Sequence, residues 1–399
     1  MRPPRHSPGP GFTVLHLVQP VDGGVARVVT DLVHAQVTAG TRVVVACPDR
    51  GGPLAADVAA LGAETAVWHA TRDPGFALPA EIRRVAELVG RIRPDVVHAH
   101  SAKAGFAGRL AVRGRIPTVF QPHAWSFEAV GGTTAALARG WERLAARWTA
   151  RVVCVSEAER DRGERAGVRA PWSVVHNGVD VDRFRPADVD AGGLAPTAAA
   201  RAALPRLAQL PPHTPLVVCV GRLCRQKGQD ILLRAWPLVL QDVPDARLVL
   251  VGDGPDAARL RAGAPPSVLF AGAVRDTAPW YAAADLVVLP SRWEGMAVAP
   301  LEAMAGGRAV LLSDVDGARE SLPPAQRAHC LTPPGDHAAT ATAIIALLGD
   351  RPLRDTFGRE AHEYVLSTYD VRQTARAIAD VYRDVATVPR SERREPIPQ

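Results

Sequence analysis

Residues 290–320, PSRWEGMAVAPLEAMAGGRAVLLSDVDGARE, decide how the rest of this chain is read. The run leading into them, DLVVLP at 285–290, is short, apolar and closed by proline, the pattern of a strand buried on both faces. Glu294 then falls in the turn beyond that strand. Pro300 suits the first position of a helix, where its missing N–H has no partner to lose. Glu302 follows in the first helical turn, and Gly306 and Gly307 supply a stop. A strand, a loop bearing an acid and a helix N-terminus make a ligand site at the edge of an α/β sheet, one suited to phosphate. Either glutamate taken singly reads as an ordinary solvated acid.

The remainder of the chain repeats the same alternation. FTVLHLV, a helix over 25–39, RVVVAC, PDVVHAH, PTVFQ and RVVCVS form a first series. PLVVCVG, RLVLVG, SVLFAG, DLVVLP and RAVLLSD form a second. Strands separated by helical stretches predict parallel sheets. Between the series, 186–213 is rich in Ala, Pro, Gly and Asp and reads as a connector, with one helix-capable piece at 197–209. The predicted plan is a first domain over 11–185, the connector over 186–213 and a second domain over 214–367. A terminal amphipathic helix spans 368–388, and loose tails cover 1–10 and 389–399.

Length and composition agree with two soluble globular domains: 399 residues, 47% apolar and 22% charged. Neither a membrane span nor an export signal is expected, which points to a cytoplasmic protein. Five scattered cysteines, without paired C-x-x-C spacing, read as reduced thiols. The net charge of +6 is spread out; it permits an anionic substrate or membrane, and no nucleic-acid partner is expected. Lysine occurs only twice, at Lys103 and Lys227, in a chain that otherwise uses arginine.

The full 290–320 string closely resembles the Glu-x7-Glu signature of the family 4 retaining glycosyltransferases. The match includes Pro290 and Ser291, Glu294 and Gly295, the LEAMA run with Gly307, and Gly317 with Glu320. GRLCRQKG at 221–228 is similar to the family's G-R-L…K-G element. HAWSF at 123–127 looks like its H-G-W-x-F variant, with Ala124 in place of the usual glycine. HNGVDVDRF at 176–184 resembles its hinge element. The resemblance spans 12–388 and implies a GT-B fold: two Rossmann-like doubly wound domains facing across a cleft, the C-terminal helix returning to the N-terminal domain. It implies an N-terminal acceptor-binding domain and a C-terminal nucleotide-sugar-binding domain.

The implied activity is retaining transfer of a hexosyl group from a nucleoside diphosphate sugar to a hydroxyl of a glycan or polyprenyl-linked acceptor. UDP-sugars are favoured over GDP-mannose, and cell-surface polysaccharide or glycolipid synthesis is the expected setting. By the same resemblance Arg222 and Lys227 grip the donor's phosphates, Glu302 meets the ribose and Glu294 the transferred sugar. Val274 and Arg275 lie in the nucleobase loop. Gly23 and Gly24, after the first strand, and Gly295, Met296, Ala297 and Val298, beside Glu294, complete the donor contacts. The catalytic group is then His123, Glu294, Lys227 and Arg222.

Lys103 and Trp125 are acceptor-side candidates; a surface lysine at a helix start is an equal reading of the first. Trp141 and Trp148 among Arg139, Arg143, Arg147 and Arg151 would suit docking on anionic lipid at the inner face of the membrane. Core packing of the tryptophans is the preferred account. Asp-x-Asp triplets occur at Asp180–Asp182, Asp188–Asp190 and Asp314–Asp316, yet the family needs no metal, so neither metal nor cofactor is expected. A sugar-nucleotide epimerase of the same fold and a non-catalytic sugar-nucleotide scaffold stand as alternatives.

Overall fold

The computed structural model describes residues 11–50, 52–71, 75–185 and 197–387. The predicted tails, Asp188–Asp190 and the start of the connector lie outside them. The chain forms two compact units, one running to Asn177 and resuming at Val371, the other spanning Gly178–Asp370.

The first unit is built on a seven-stranded parallel sheet. Its strands are β1 (Thr13–Val18), β2 (Arg42–Cys47), β3 (Glu64–Val67), β4 (Val96–His100), β5 (Thr118–Gln121), β6 (Arg151–Cys154) and β7 (Trp172–Val174), in the order β3-β2-β1-β4-β5-β6-β7. The strand order reverses between β1 and β4, which is where ligands approach an open parallel sheet. β1 and β4 are buried along their whole length, so polar side chains on them are forced inside. His16 lies opposite His98 in the ladder, and His100, two residues on, shares the face of His98. The H-x-H spacing and this register bring three imidazoles together, their ring centres 4.0–5.5 Å apart.

The helix Gly23–Thr38 follows β1 and brings Gln36 over this group. The C-terminal helix Val371–Thr387 joins the same unit. Its buried residues Thr374, Ile378, Val381, Tyr382 and Val385 follow the helical period, and Tyr382 reaches both His98 and Gln36. A separate helix, Arg351–Thr368, precedes it, so the chain breaks at Tyr369 and Asp370 and the last helix starts three residues beyond 368.

The second unit carries a six-stranded parallel sheet. Its strands are β8 (Leu216–Val220), β9 (Arg247–Val251), β10 (Val268–Gly272), β11 (Leu286–Leu289), β12 (Val310–Ser313) and β13 (Leu331–Thr332), ordered β10-β9-β8-β11-β12-β13. Here the reversal falls between β8 and β11, the strands that lead into GRLCRQKG and PSRWEG. The short helix Thr197–Ala202 is fastened to this unit. Arg201 donates to the carbonyls of Ala283 and Thr214 and to Asp285 at 2.7–3.0 Å.

The helix bearing Glu302 runs Val298–Ala305, so it starts two residues before Pro300. Glu302 therefore sits in its second turn. Pro300 is still within the first turn, where no backbone N–H has an intrahelical acceptor, so it costs nothing. β3, β7 and β13 lacked an apolar signal because each is a short edge strand with exposed or half-exposed residues.

Candidate active site

In the second unit the site is assembled from the loops after β8 and β11. Gly228 has φ +70°, and a side chain there would place Cβ 1.9 Å from the Pro290 carbonyl oxygen. Only glycine lets the two loops touch. Arg292 then staples them: its guanidinium makes a bidentate pair with Asp230 at 2.6–2.7 Å, and its backbone N–H donates to the Gln226 carbonyl at 2.8 Å. The Arg292 guanidinium holds the Asp230 carboxyl below the usual carboxylate range.

This closure brings Lys227 Nζ to 2.6 Å from Glu294 Oε1. Ser291 Oγ donates to the same oxygen at 2.7 Å, and Gln226 Nε2 approaches Oε2 at 3.5 Å. Glu294 is buried and Lys227 half-buried. Each neutralises the other in an enclosure that would otherwise penalise a lone charge. Gly295, Met296 and Val298 are buried behind Glu294, and Ala297 is half-buried. Gly317, at φ +73°, lets its own backbone press on the Gly295 carbonyl, since a Cβ would lie 2.1 Å from that oxygen. A small pocket bordered by Ser291, Glu294, Ala297, Ser313, Asp316 and Ser321 opens beside the carboxylate.

Glu302 is held separately. Tyr281 OH donates to its Oε2 at 2.8 Å, and Thr277 Oγ1 lies 3.4 Å from the same atom. Burial and the Glu302 charge raise the Tyr281 phenol well above its ordinary pKa, so it stays a donor. Arg222 is half-buried on the loop after β8. Val274, half-buried, and Arg275, exposed, lie in the loop after β10. Ser291, Gln226, Tyr281, Thr277 and the Asp230–Arg292 staple carry no signal beyond the strings already quoted. Their roles come from loop contact.

In the first unit, Gly23 and Gly24 open the helix after β1 and are exposed. His123 and Ala124 follow β5 with φ +55° and +98°, a strained turn for residues bearing side chains. It is clamped by Glu159, fully buried, whose two oxygens accept from Ala124 N at 2.6 Å and Val155 N at 2.7 Å. His123 Nε2 lies 3.1 Å from His100 Nδ1.

Two acceptor-side expectations are corrected. Lys103 is buried and paired with Glu81 at 2.7 Å, because the helix Ser101–Val112 turns it inward against the helix Leu78–Ile92. Trp125 is 1% exposed; it stacks on Phe127 and donates Nε1–H to the Glu159 carbonyl at 2.8 Å. Neither faces solvent. Trp141 packs on Phe106 at 4.2 Å between ring centres, while Leu137 and Leu144 are exposed beside half-buried Arg139 and exposed Arg143 and Arg147. Among the Asp-x-Asp triplets, Asp180 caps a short helix through Arg183 N–H, Asp182 pairs with Arg185, and Asp314 pairs with Arg319. No helix among the described residues is long and apolar enough to cross a membrane.

Two family models match this chain. Residues 22–183 match Glycosyltransferase Family 4, and residues 214–350 match Glycosyl transferases group 1. The chain belongs to glycosyltransferase family 4. The phosphatidyl-myo-inositol mannosyltransferase of Mycobacterium leprae is 30% identical over 303 residues, covering 73% of this chain and 74% of that protein. An Escherichia coli UDP-Gal:alpha-D-GlcNAc-diphosphoundecaprenol alpha-1,3-galactosyltransferase is 27% identical over 75% of this chain and 78% of its own length. Lipopolysaccharide core biosynthesis mannosyltransferase LpsB of Rhizobium meliloti is 30% identical over 62% and 69%. The crystal structure of Anabaena HepE with UDP-glucose superposes with a TM-score of 0.77 at 23% identity, over 93% of this chain and 99% of that one. WaaG, a glycosyltransferase involved in lipopolysaccharide biosynthesis, gives 0.70 at 17% identity over 93% and 99%. The paired parallel-sheet units are thus the GT-B fold, and this family 4 member is a glycosyltransferase.

Proposed function

We propose that this glycosyltransferase moves a hexosyl group from a nucleoside diphosphate sugar to a hydroxyl of a lipid-linked or glycan acceptor, with retention of configuration. The observation that carries the reading is the Lys227–Glu294 contact at 2.6 Å, at the point of strand-order reversal. Without a donor the two charges satisfy each other. A bound diphosphate gives the ammonium an anionic partner, and sugar hydroxyls then donate to the carboxylate that Lys227 releases. Arg222 and Lys227 stabilise negative charge as the diphosphate departs. Glu302, oriented by Tyr281, accepts from the ribose.

The departing diphosphate takes the acceptor's proton on the same face, a route that asks for no enzymic nucleophile and is assigned no metal. Lys227 neutralises Glu294 and the Tyr281 hydroxyl donates to Glu302, so neither glutamate is the free carboxylate of a glycosidase pair. UDP-sugars remain the favoured donors: one relative is named for a UDP-galactose donor and a diphosphoundecaprenol acceptor, and one fold neighbour holds UDP-glucose. The exposed Leu137 and Leu144 among arginines support peripheral contact with anionic lipid. Sedimentation with phosphatidylglycerol vesicles tests this, and loss of the protein to the supernatant rejects it.

A panel of sugar nucleotides with a polyprenyl-diphosphate sugar acceptor, read by mass spectrometry, tests the activity. Transfer from one donor, abolished in Glu294→Gln, is expected. A new sugar nucleotide formed without acceptor would instead show an epimerase, and turnover of none would show a binding scaffold.

A further inference from the structure

We infer that Gln36, His16 and His100 form a buried hydrogen-bond relay that fixes His123 as its Nε2–H tautomer, leaving Nδ1 as a lone-pair acceptor for a substrate hydroxyl. The role of His123 toward substrate rests on the proposed function; the relay does not.

The polarity follows from one anchoring atom. Gln36 Oε1 lies 2.8 Å from His16 Nε2, and an amide oxygen only accepts, so His16 carries its proton on Nε2. A neutral imidazole has one N–H, so His16 Nδ1 accepts, and the donor 3.0 Å away is His100 Nε2. His100 Nδ1 is then the acceptor facing His123 Nε2 at 3.1 Å. His123 is left with Nδ1 unprotonated, and among the described residues that atom has no hydrogen-bond partner.

The other end of the same Gln36 amide sets the direction at His98. Gln36 Nε2 donates to Tyr382 OH at 3.4 Å, and Tyr382 lies 2.7 Å from His98 Nδ1. The phenol therefore donates to His98, whose proton sits on Nε2. The Gln121 side chain is the neighbour that favours a charged His98, as an acceptor beside a ring N–H does, although His98 Nε2 and Gln121 Oε1 do not align as a full hydrogen bond.

Burial keeps the rings neutral, as a one-N–H chain requires: it lowers His16 to about 4 and His98 and His100 well below the ordinary histidine value. The nitrogens of His16, His98 and His100 lie within 4.8 Å of one another, a spacing that could also hold a metal ion. The His16–His100 hydrogen bond already uses the lone pair that coordination would need. The strained φ values at His123 and Ala124 show where the relay ends. That turn costs on the order of 1–3 kcal/mol per residue and is held by Glu159. Gln36, His16 and His100 are positioning residues, acting through His123.

Long-range 15N–1H correlation on the full chain with [15N]histidine reads the tautomers directly. Nε2–H is expected at His16, His98, His100 and His123. Nδ1–H or a tautomer mixture at His123, or stoichiometric zinc by elemental analysis with ligand-type nitrogen shifts, would overturn the relay without any variant being made. In Gln36→Leu, mixed tautomers at His16, His100 and His123 are expected, with kcat lowered by roughly tenfold or more and donor KM within about twofold. Gln36→Glu, which keeps an oxygen toward His16, should restore the pattern and most of kcat. Scrambled tautomers with unchanged kcat would overturn the positioning role alone. A wild-type enzyme that turns over no sugar nucleotide would sink the functional reading, with the spectrum still deciding the relay.

Discussion

Lys227 Nζ and Glu294 Oε1 lie 2.6 Å apart although 67 residues separate them, and the Gly228–Pro290 backbone contact is what permits it. The two side chains are each other's counter-charge before donor arrives. In the proposed function Lys227→Ala strips the diphosphate of a cation, and it leaves buried Glu294 with the neutral neighbours Ser291 and Gln226. Turnover is expected to fall by roughly 100-fold or more, with weaker nucleotide diphosphate binding. Glu294→Ala should abolish transfer while nucleotide diphosphate binding, measured by calorimetry, is largely kept. Normal turnover in either variant contradicts the assignment.

Gly228→Ala tests the loop closure itself. With φ +70° and the Pro290 carbonyl oxygen 1.9 Å from the added Cβ, the loops must separate. Lys227 then loses Glu294, and the variant should approach the Lys227→Ala rate while keeping both charges. Wild-type kinetics in Gly228→Ala would show that the contact between the loops is dispensable.

Lys103 serves the fold. Its ammonium and Glu81 are both almost wholly enclosed and 2.7 Å apart, with Glu81 Oε1 also accepting from Thr71 N–H at 3.1 Å. Lys103→Met strands a buried carboxylate and should cost about 3–5 kcal/mol in denaturant unfolding. Pairing it with Glu81→Gln should recover much of that loss. Acceptor KM is expected to stay unchanged in protein that remains folded; a large KM rise with intact stability would return Lys103 to the acceptor site.

The alternation of apolar runs and the quoted strings located both sheets and the loops after β8 and β11, because buried parallel strands and glycine-bounded turns leave continuous local marks. What stayed illegible depends on register and on contacts distant in sequence. Nothing local says that His16 lies opposite His98, that Tyr382 returns to both His98 and Gln36, or that Glu159 reaches Ala124 across 35 positions. The burial of Lys103 and Trp125 was missed for the same reason. A polar residue after a strand looks like a ligand contact until the helix carrying it is docked. The helix at Val298 was placed late because proline suits its third position as well as its first.

Acid should unfold the first unit early. His16, His98 and His100 are neutral inside, with folded pKa values pushed below the ordinary 6.5 by burial, His16 to about 4. The unfolded chain therefore binds protons that the folded chain refuses as pH falls through 6.5. Stability is full above that value and declines below it, by about 1.4 kcal/mol per pH unit for each ring, until the folded pKa is reached. Between pH 6.5 and 5 most carboxylates are still ionised, so the histidines dominate the slope. Guanidinium unfolding at pH 7.5, 6.5 and 5.5 should give a small drop in midpoint over the first interval and one roughly three times larger over the second. A flat profile to pH 5.5 would mean the rings are charged or solvated in the folded protein.

Ala124→Gly should stabilise the turn that carries His123. Ala124 sits at φ +98°, where a Cβ is strained by on the order of 1–3 kcal/mol, and glycine removes that at an unfolded-state cost of about 0.4–1 kcal/mol. A net gain near 1 kcal/mol is expected in thermal or denaturant unfolding, with kcat little changed because Ala124 N–H still donates to Glu159. Glu159→Gln acts oppositely. Its carboxylate accepts from Ala124 N at 2.6 Å and from Val155 N at 2.7 Å, and an amide offers only one oxygen for the two. The unsatisfied N–H should cost about 1–3 kcal/mol. Because the released turn is the one holding His123, kcat should fall with it. Adding Ala124→Gly to Glu159→Gln should recover stability without recovering kcat, since glycine relieves strain but does not aim the imidazole. Full recovery of both would show that the clamp only offsets strain.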